Sequence, residues 1–292
     1  MAATASQPEL LVIVGETASG KSALAHRIAK EFNGEVIAAD SWTVYRGFDI
    51  GTSKPSQAEQ TEVKYHLLDV VEAPEGFNAP KFKELAEAAI TDIQNRGKLP
   101  VLAGGTGLYI DSVLYDFGFL PDVSAEERAE LNSLSIEQLI QRAEELQIDL
   151  SGIDTCNKRR IIRAIEAKGE KPTKKEIKPS TLIIGLKLDN EELRGRIEKR
   201  TEEMLQNGLE AEVKELSGRF GWGIEPMKGI GYREWREYFE GTQTLEQTKQ
   251  RIISSTVSLA KRQRTWFKRN QNIQWFSSTR AAYQALSKLL SN

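Results

Sequence analysis

The chain has almost none of the residues that build stapled or metal-caged proteins: one cysteine, Cys156, and two histidines, His26 and His66, in 292 residues. A lone cysteine forms no internal disulfide and excludes a cysteine-based zinc cage. Cys156 reads as a small residue near a loop, because no activating partner stands near it in the sequence. The histidines are isolated, with neither metal-ligand spacing nor a Ser/His/Asp signature. Also missing is any apolar run approaching the ~20 residues that a membrane helix needs, so no membrane partner is expected. The first residues, MAATASQPEL, hold no basic region followed by an apolar stretch, so a secretory leader is not expected and the expected compartment is the cytoplasm. There is no internal repeat and no low-complexity tract. What remains is 39% hydrophobic and 28% charged, ordinary for a globular enzyme and unlike a disordered chain, a collagen or a coiled-coil rod. The length fits one large domain or one domain carrying an insertion. Chains of this size bury roughly 75% of their extended surface, enough for a core without staples.

The net charge of −2 conceals an asymmetry. Residues 1–150 carry 12 Lys+Arg against 24 Asp+Glu, and residues 151–292 carry 28 against 18. Such a split suggests that the second half meets something anionic, although solvated Lys/Arg-rich helix faces account for it equally well on composition alone.

Four short apolar runs read as strands: Leu10–Val14, Val36–Ala39, Leu99–Ala103 and Leu182–Leu186. Unbroken runs of this kind suit strands buried on both faces of a parallel sheet. Between them lie helical patterns, as in Phe82–Asn95, where Phe82, Leu85, Ala86, Ala89, Ile90 and Ile93 recur at three- and four-residue steps. Alternation of this sort predicts a doubly wound α/β fold whose ligands sit at the carboxyl ends of the strands. Residues 118–178 break the rhythm with helices and no convincing strand, and Lys158, Arg159, Arg160, Arg163, Lys168, Lys171, Lys174 and Lys175 crowd into this stretch. The expected organisation is therefore an α/β core over 1–117, a smaller helical insertion over 118–178, and core completion with basic helices over 179–292. After the fourth strand the chain reads as helical to its end.

Gly15-Glu16-Thr17-Ala18-Ser19-Gly20-Lys21-Ser22 matches G-x-x-x-x-G-K-[ST] between a predicted strand and a predicted helix. The glycines let backbone N–H groups curl round an anion, the helix N-terminus adds positive potential, and Lys21 adds a point charge. Ser22 is placed to hold Mg²⁺ through its hydroxyl. The loop reads phosphate geometry and does not name the compound. Asp40, at the end of the second strand, fits a Walker-B-like metal ligand, a general base or a helix cap, and spacing does not choose among them. Gly104-Gly105-Thr106-Gly107 is a second glycine-rich turn, either purely structural or presenting Thr106 to a ligand. The run Lys261-Arg262-Gln263-Arg264-Thr265-Trp266-Phe267-Lys268-Arg269 holds five basic residues and two aromatics. It fits contact with phosphates and unpaired bases, or a helix that buries Trp266 and Phe267 and solvates its charges. Together with the 158–175 cluster it favours nucleic-acid contact.

The order and content of these motifs, with Asp40–Pro55, Asn157–Glu166 and Gly229–Glu234, resemble the bacterial-type tRNA dimethylallyltransferases, also called tRNA isopentenyltransferases. The match spans most of the chain, and Asp40–Pro55 carries far more specificity than the phosphate loop. Departures are Glu16 where proline is usual, Trp42-Thr43 in place of Met-Gln, Tyr65 for the first of two histidines, and a shortened insertion before Asn157. No zinc-finger tail of the eukaryotic branch is found.

The resemblance implies a P-loop NTPase-like core and transfer of a dimethylallyl group from its diphosphate to N6 of adenosine 37, beside the tRNA anticodon, with Mg²⁺. It implies that Asp40 takes the N6 proton and that Thr17 and Thr106 orient diphosphate and substrate, while Lys21, with the loop amides and Mg²⁺, stabilises the charge developing on the diphosphate. It carries over Asp40, Ser41, Trp42, Thr43, Thr106, Arg128, Arg159, Arg160 and Arg163 as tRNA contacts, to which the basic run adds Lys261, Arg262 and Arg264. The expected partners are the tRNA anticodon loop and dimethylallyl diphosphate, and the expected state is a monomer. The alternatives are an ATP-dependent nucleotide kinase, a prenyltransferase acting on free AMP, and an RNA-binding NTPase without group transfer.

Overall fold

The computed structural model describes residues 7–120, 123–170 and 172–291. Residues 1–6 and Lys171, invoked above for the leader and the basic cluster, lie outside the described residues. The chain divides into two compact units, one formed by 1–114 with 177–292 and the other by Tyr115–Glu176. The limits of the second differ by two or three residues from the 118–178 expected.

The first unit is built on six parallel strands: β1 (Leu10–Gly15), β2 (Gly34–Ala39), β3 (Tyr65–His66), β4 (Leu99–Gly104), β5 (Thr181–Leu186) and β6 (Gln274–Phe276), in the order β3-β2-β4-β1-β5-β6. β1 is wholly buried and pairs with β4 on one side and β5 on the other. The four predicted strands are the inner four. The expectation of helix alone after the fourth is corrected by β6, which pairs Ile184–Leu186 with Gln274–Phe276. β3 was not anticipated either. Both are edge strands of two or three residues, too short to show a period and typical of protected sheet edges.

Helices cover the faces: α1 (Lys21–Glu31), α2 (Gln57–Glu62), α3 (Ala79–Asn95) and α4 (Gly107–Leu114) in the first half of the chain. The second unit holds α5 (Ala125–Ser133), α6 (Ile136–Glu145) and α7 (Lys158–Glu166). After β5 come α8 (Asn190–Gln206), α9 (Leu209–Phe220), α10 (Arg236–Phe239), α11 (Leu245–Phe267) and α12 (Thr279–Leu290). One core cluster joins Leu11, Ile13, Leu24, Ile28, Val101 and Ile184 under α1 and α12. Another gathers Tyr45, Phe48, Leu209, Val213, Tyr232 and Trp235. The second unit has its own core, in which Leu139 and Ala143 of α6 join Ile161, Ile162 and Ile165 of α7. No described helix is long and apolar enough to cross a membrane.

Candidate active site

In a parallel sheet all carboxyl ends face one way, so the β2-β4-β1 order sets three loops side by side: the one starting at Asp40, the one from Gly104 to Gly107, and Gly15–Ser22. Gly15–Ser22 runs from β1 into α1 with Gly20 at φ +90°, a conformation that a side chain resists. Successive amides of such a loop make an anion-binding concavity. Lys21 Nζ donates to Glu16 O at 3.1 Å. Burial, and next the charge of Arg200, lower the Lys21 ammonium to a pKa of about 8, against the opposing pull of Asp40 and Glu16. Ser22 is exposed at the first turn of α1.

α8 brings two arginines to this loop. Arg200 Nη1 donates to Thr17 Oγ1 at 3.0 Å, and its Nε donates to Ser53 Oγ at 2.8 Å. Arg196 Nη1 reaches Ser19 O at 3.4 Å. Burial lowers the Arg200 pKa from its ordinary value, but an arginine remains charged at any physiological pH. Thr17, Lys21, Ser22, Asp40, Arg196 and Arg200 line one cleft of about 600 Å³. A smaller pocket of about 80 Å³ shares Thr17, Asp40 and Arg200 with it and is walled by Ile197, Met204, Ile230, Ile252 and Leu259.

The glycines of the second turn each yield to a neighbour. A methyl group on Gly104 would meet the Ala39 backbone, one on Gly105 the Gln263 amide, and one on Gly107 the Trp266 ring. Close approach thus explains the glycines, and Thr106 has a task of its own: its Oγ1 accepts from Ser41 N at 3.2 Å, tying this turn to the Asp40 segment. Asp40 Oδ1 accepts from Trp42 N at 2.8 Å. Thr43 is buried, and its hydroxyl has no hydrogen-bond partner among the described residues. From α11, Gln263 spans two loops: its Oε1 accepts from Thr17 N at 2.7 Å and its Nε2 donates to Gly105 O at 3.0 Å.

The basic residues divide into two groups. Lys261 and Arg262 on α11, and Arg159 and Arg160 on the first turn of α7, are exposed. Arg264 points inward, pairing through Nε and Nη2 with the Glu16 carboxylate and donating to Leu188 O at 3.0 Å. Phe267 is buried, and Trp266 Nε1 donates to Asp111 Oδ2 at 2.9 Å. The structure therefore matches the packed reading of this aromatic pair. In the second unit Arg128 grips Glu166 at 2.7 and 2.8 Å, and Arg163 reaches the same carboxylate at 3.2 Å. Among the described residues no cluster of three or more His, Cys, Asp or Glu could hold a metal.

Sequence reasoning missed Arg196, Arg200 and Gln263. Two arginines four apart fall on one helix face, but nothing local marks that face as the one turned to the phosphate loop.

The comparisons with known proteins decide the family. A family profile described as "IPP transferase" matches residues 43–270. This chain belongs to the IPP transferase family. Among the relatives of this IPP transferase is a Roseiflexus protein named tRNA dimethylallyltransferase, 42% identical over 279 residues, covering 90% of this chain and 91% of that one. Among solved structures, the full-length tRNA isopentenylpyrophosphate transferase of Bacillus halodurans matches with a TM-score of 0.73 at 33% identity, covering 98% of this chain and 97% of that one. A eukaryotic dimethylallyltransferase acting on tRNA shares the fold, with a TM-score of 0.80 at 24% identity over 97% of this chain and 77% of that one.

Proposed function

We propose that this IPP transferase moves a dimethylallyl group from dimethylallyl diphosphate to N6 of adenosine 37 in tRNA, acting as a monomer in the cytoplasm. The observation that carries the reading is the cation set round the phosphate loop, Lys21, Arg196 and Arg200, facing the same cleft as Asp40, a carboxylate at the end of β2, one strand removed across β4. A kinase would need a phosphoryl acceptor site. This cleft instead adjoins a small pocket of about 80 Å³ whose aliphatic walls, Ile197, Met204, Ile230, Ile252 and Leu259, suit a short hydrocarbon chain.

In the proposed reaction N6 attacks C1 of the dimethylallyl group, the C1–O bond breaks, and the electron pair leaves with the diphosphate. Loop amides, Lys21 and the two arginines stabilise the charge that grows on the leaving oxygens. Asp40 accepts the N6 proton, held in orientation by its bond from Trp42 N. Thr17, bonded to Arg200, orients the diphosphate, and Thr106, bonded to Ser41 N, keeps the acceptor segment in register with the second glycine turn. The exposed Arg159, Arg160, Lys261 and Arg262 suit phosphate contacts. The adenine must leave its stack to reach the cleft.

Ser22, on the first turn of α1, would hold Mg²⁺ through its hydroxyl, a hard oxygen donor, and among the described residues no cluster of three or more His, Cys, Asp or Glu forms a cage for it. A magnesium ion, which takes oxygen ligands, would be the cation suited to such a donor. When bound it neutralises leaving-group charge.

The test is incubation of the purified protein with Mg²⁺, dimethylallyl diphosphate and unmodified tRNA carrying adenosine 37, followed by digestion and mass spectrometry. Prenylated adenosine that depends on both substrates and on Lys21 supports the reading. Its absence from a folded protein that binds diphosphate refutes it, and activity on AMP in place of tRNA would move the free-nucleotide reading forward.

A further inference from the structure

A phosphate loop serves to attract anions, yet this one carries a carboxylate. Glu16 is the second residue of Gly15–Ser22 and is 2% exposed. Its backbone oxygen accepts from Lys21 Nζ, and its charge is felt at the Lys21 ammonium. An uncompensated carboxylate there would oppose any diphosphate bound in the loop. The compensation comes from α11: Arg264 meets both Glu16 oxygens. The guanidinium is itself pinned by Leu188 O at 3.0 Å and Asn190 Oδ1 at 2.5 Å, between β5 and α8. One residue earlier on the same helix, Gln263 holds Thr17 N and Gly105 O.

We propose that Arg264 is a positioning residue of the phosphate loop and not a contact to RNA: it cancels the Glu16 charge, leaving the field of Lys21 and Arg200 to the diphosphate, and sets α11 so that Gln263 reaches Thr17. The inference rests on the reading that this loop binds a diphosphate.

The test is calorimetric titration of inorganic diphosphate, at fixed Mg²⁺, into the wild type, Arg264→Met, Glu16→Gln and the double variant. A lone unit charge beside the site is worth roughly tenfold or more in affinity. Arg264→Met is therefore expected to bind about tenfold more weakly, Glu16→Gln several-fold more tightly, and the double variant within about threefold of the wild type. Damage to packing alone would weaken all three and give no rescue, which would overturn the proposal. So would unchanged diphosphate affinity in Arg264→Met together with a flatter salt dependence of tRNA binding. If Arg264→Met does not fold, Glu16→Gln alone decides, since it keeps the shape and removes only the charge: equal or weaker binding overturns the proposal. A wild type that binds no diphosphate removes the underlying reading and this inference with it. A wild type that binds, with Arg264→Met binding alike, removes this inference alone.

Discussion

Lys21 gives the phosphate loop a pH dependence whose size follows from its surroundings. Burial and the Arg200 charge bring its pKa to about 8 in the unloaded protein. A bound diphosphate adds negative charge beside the ammonium and raises its pKa well above that of the unloaded protein. Well below pH 8 the ammonium is charged in both states, so affinity is flat. As pH approaches and passes 8 the unloaded protein loses a proton that the complex must regain, so affinity falls as pH rises. The dissociation constant for dimethylallyl diphosphate is then expected to double by pH 8 and to rise about tenfold by pH 9, relative to pH 7. The ligand contributes little there, because a phosphate ester with a second pKa near ~6 is already almost fully ionised at pH 8. Tyr109 contributes little either, because burial holds it above its ordinary value. Calorimetry in buffers of different ionisation enthalpy checks this, with uptake of nearly one proton expected at pH 9. Arg200→Met removes the second cause of the lowered pKa, so the fall begins at higher pH. A flat profile from pH 7 to 9, or one that Arg200→Met leaves in place, would refute the reasoning.

Asp40→Asn preserves an acceptor for Trp42 N but cannot take a proton, so turnover should fall by about 10²–10⁴ with tRNA affinity unchanged; single-turnover kinetics with filter binding separates the two. Gly105→Ala places a methyl group against the Gln263 amide. Because that amide ends a flexible side chain, the melting temperature should move by only a few degrees while kcat falls about tenfold or more. Arg128→Met takes one guanidinium from Glu166, whose side chain is 1% exposed, and leaves it paired with Arg163. The helical unit should lose about 1–2 kcal/mol, read as earlier proteolysis within 115–176.

The inner sheet was legible because β1, β4 and β5 are buried on both faces and so write themselves as unbroken apolar runs. Tyr65–His66 and Gln274–Phe276 were not, since two or three residues at an edge carry no period. The phosphate loop was legible because its geometry is local: eight consecutive residues and the two elements that flank them. Arg200 was not, because what distinguishes it from its neighbours in the charged run of α8 is a hydroxyl 183 positions away, on Thr17. Arg264 was assigned to RNA for the same reason in reverse. A basic residue among basic residues looks solvated until its partner, Glu16, 248 positions earlier, is seen.

The strand order also governs how the protein is made. β1 is made before the other described strands and lies inside the finished sheet, yet one of its two neighbours, β5, follows the whole of Tyr115–Glu176 in the chain. Until Thr181–Leu186 emerges from the ribosome, the Leu10–Gly15 side that later pairs with β5 is an open edge on a wholly apolar strand. Open apolar edges recruit other chains. The intervening helices have local contacts and fold fast by comparison with the parallel pairing on either side of them. The time taken to translate them is the interval during which the nascent core is exposed to aggregation, and lengthening that segment would lengthen the exposure.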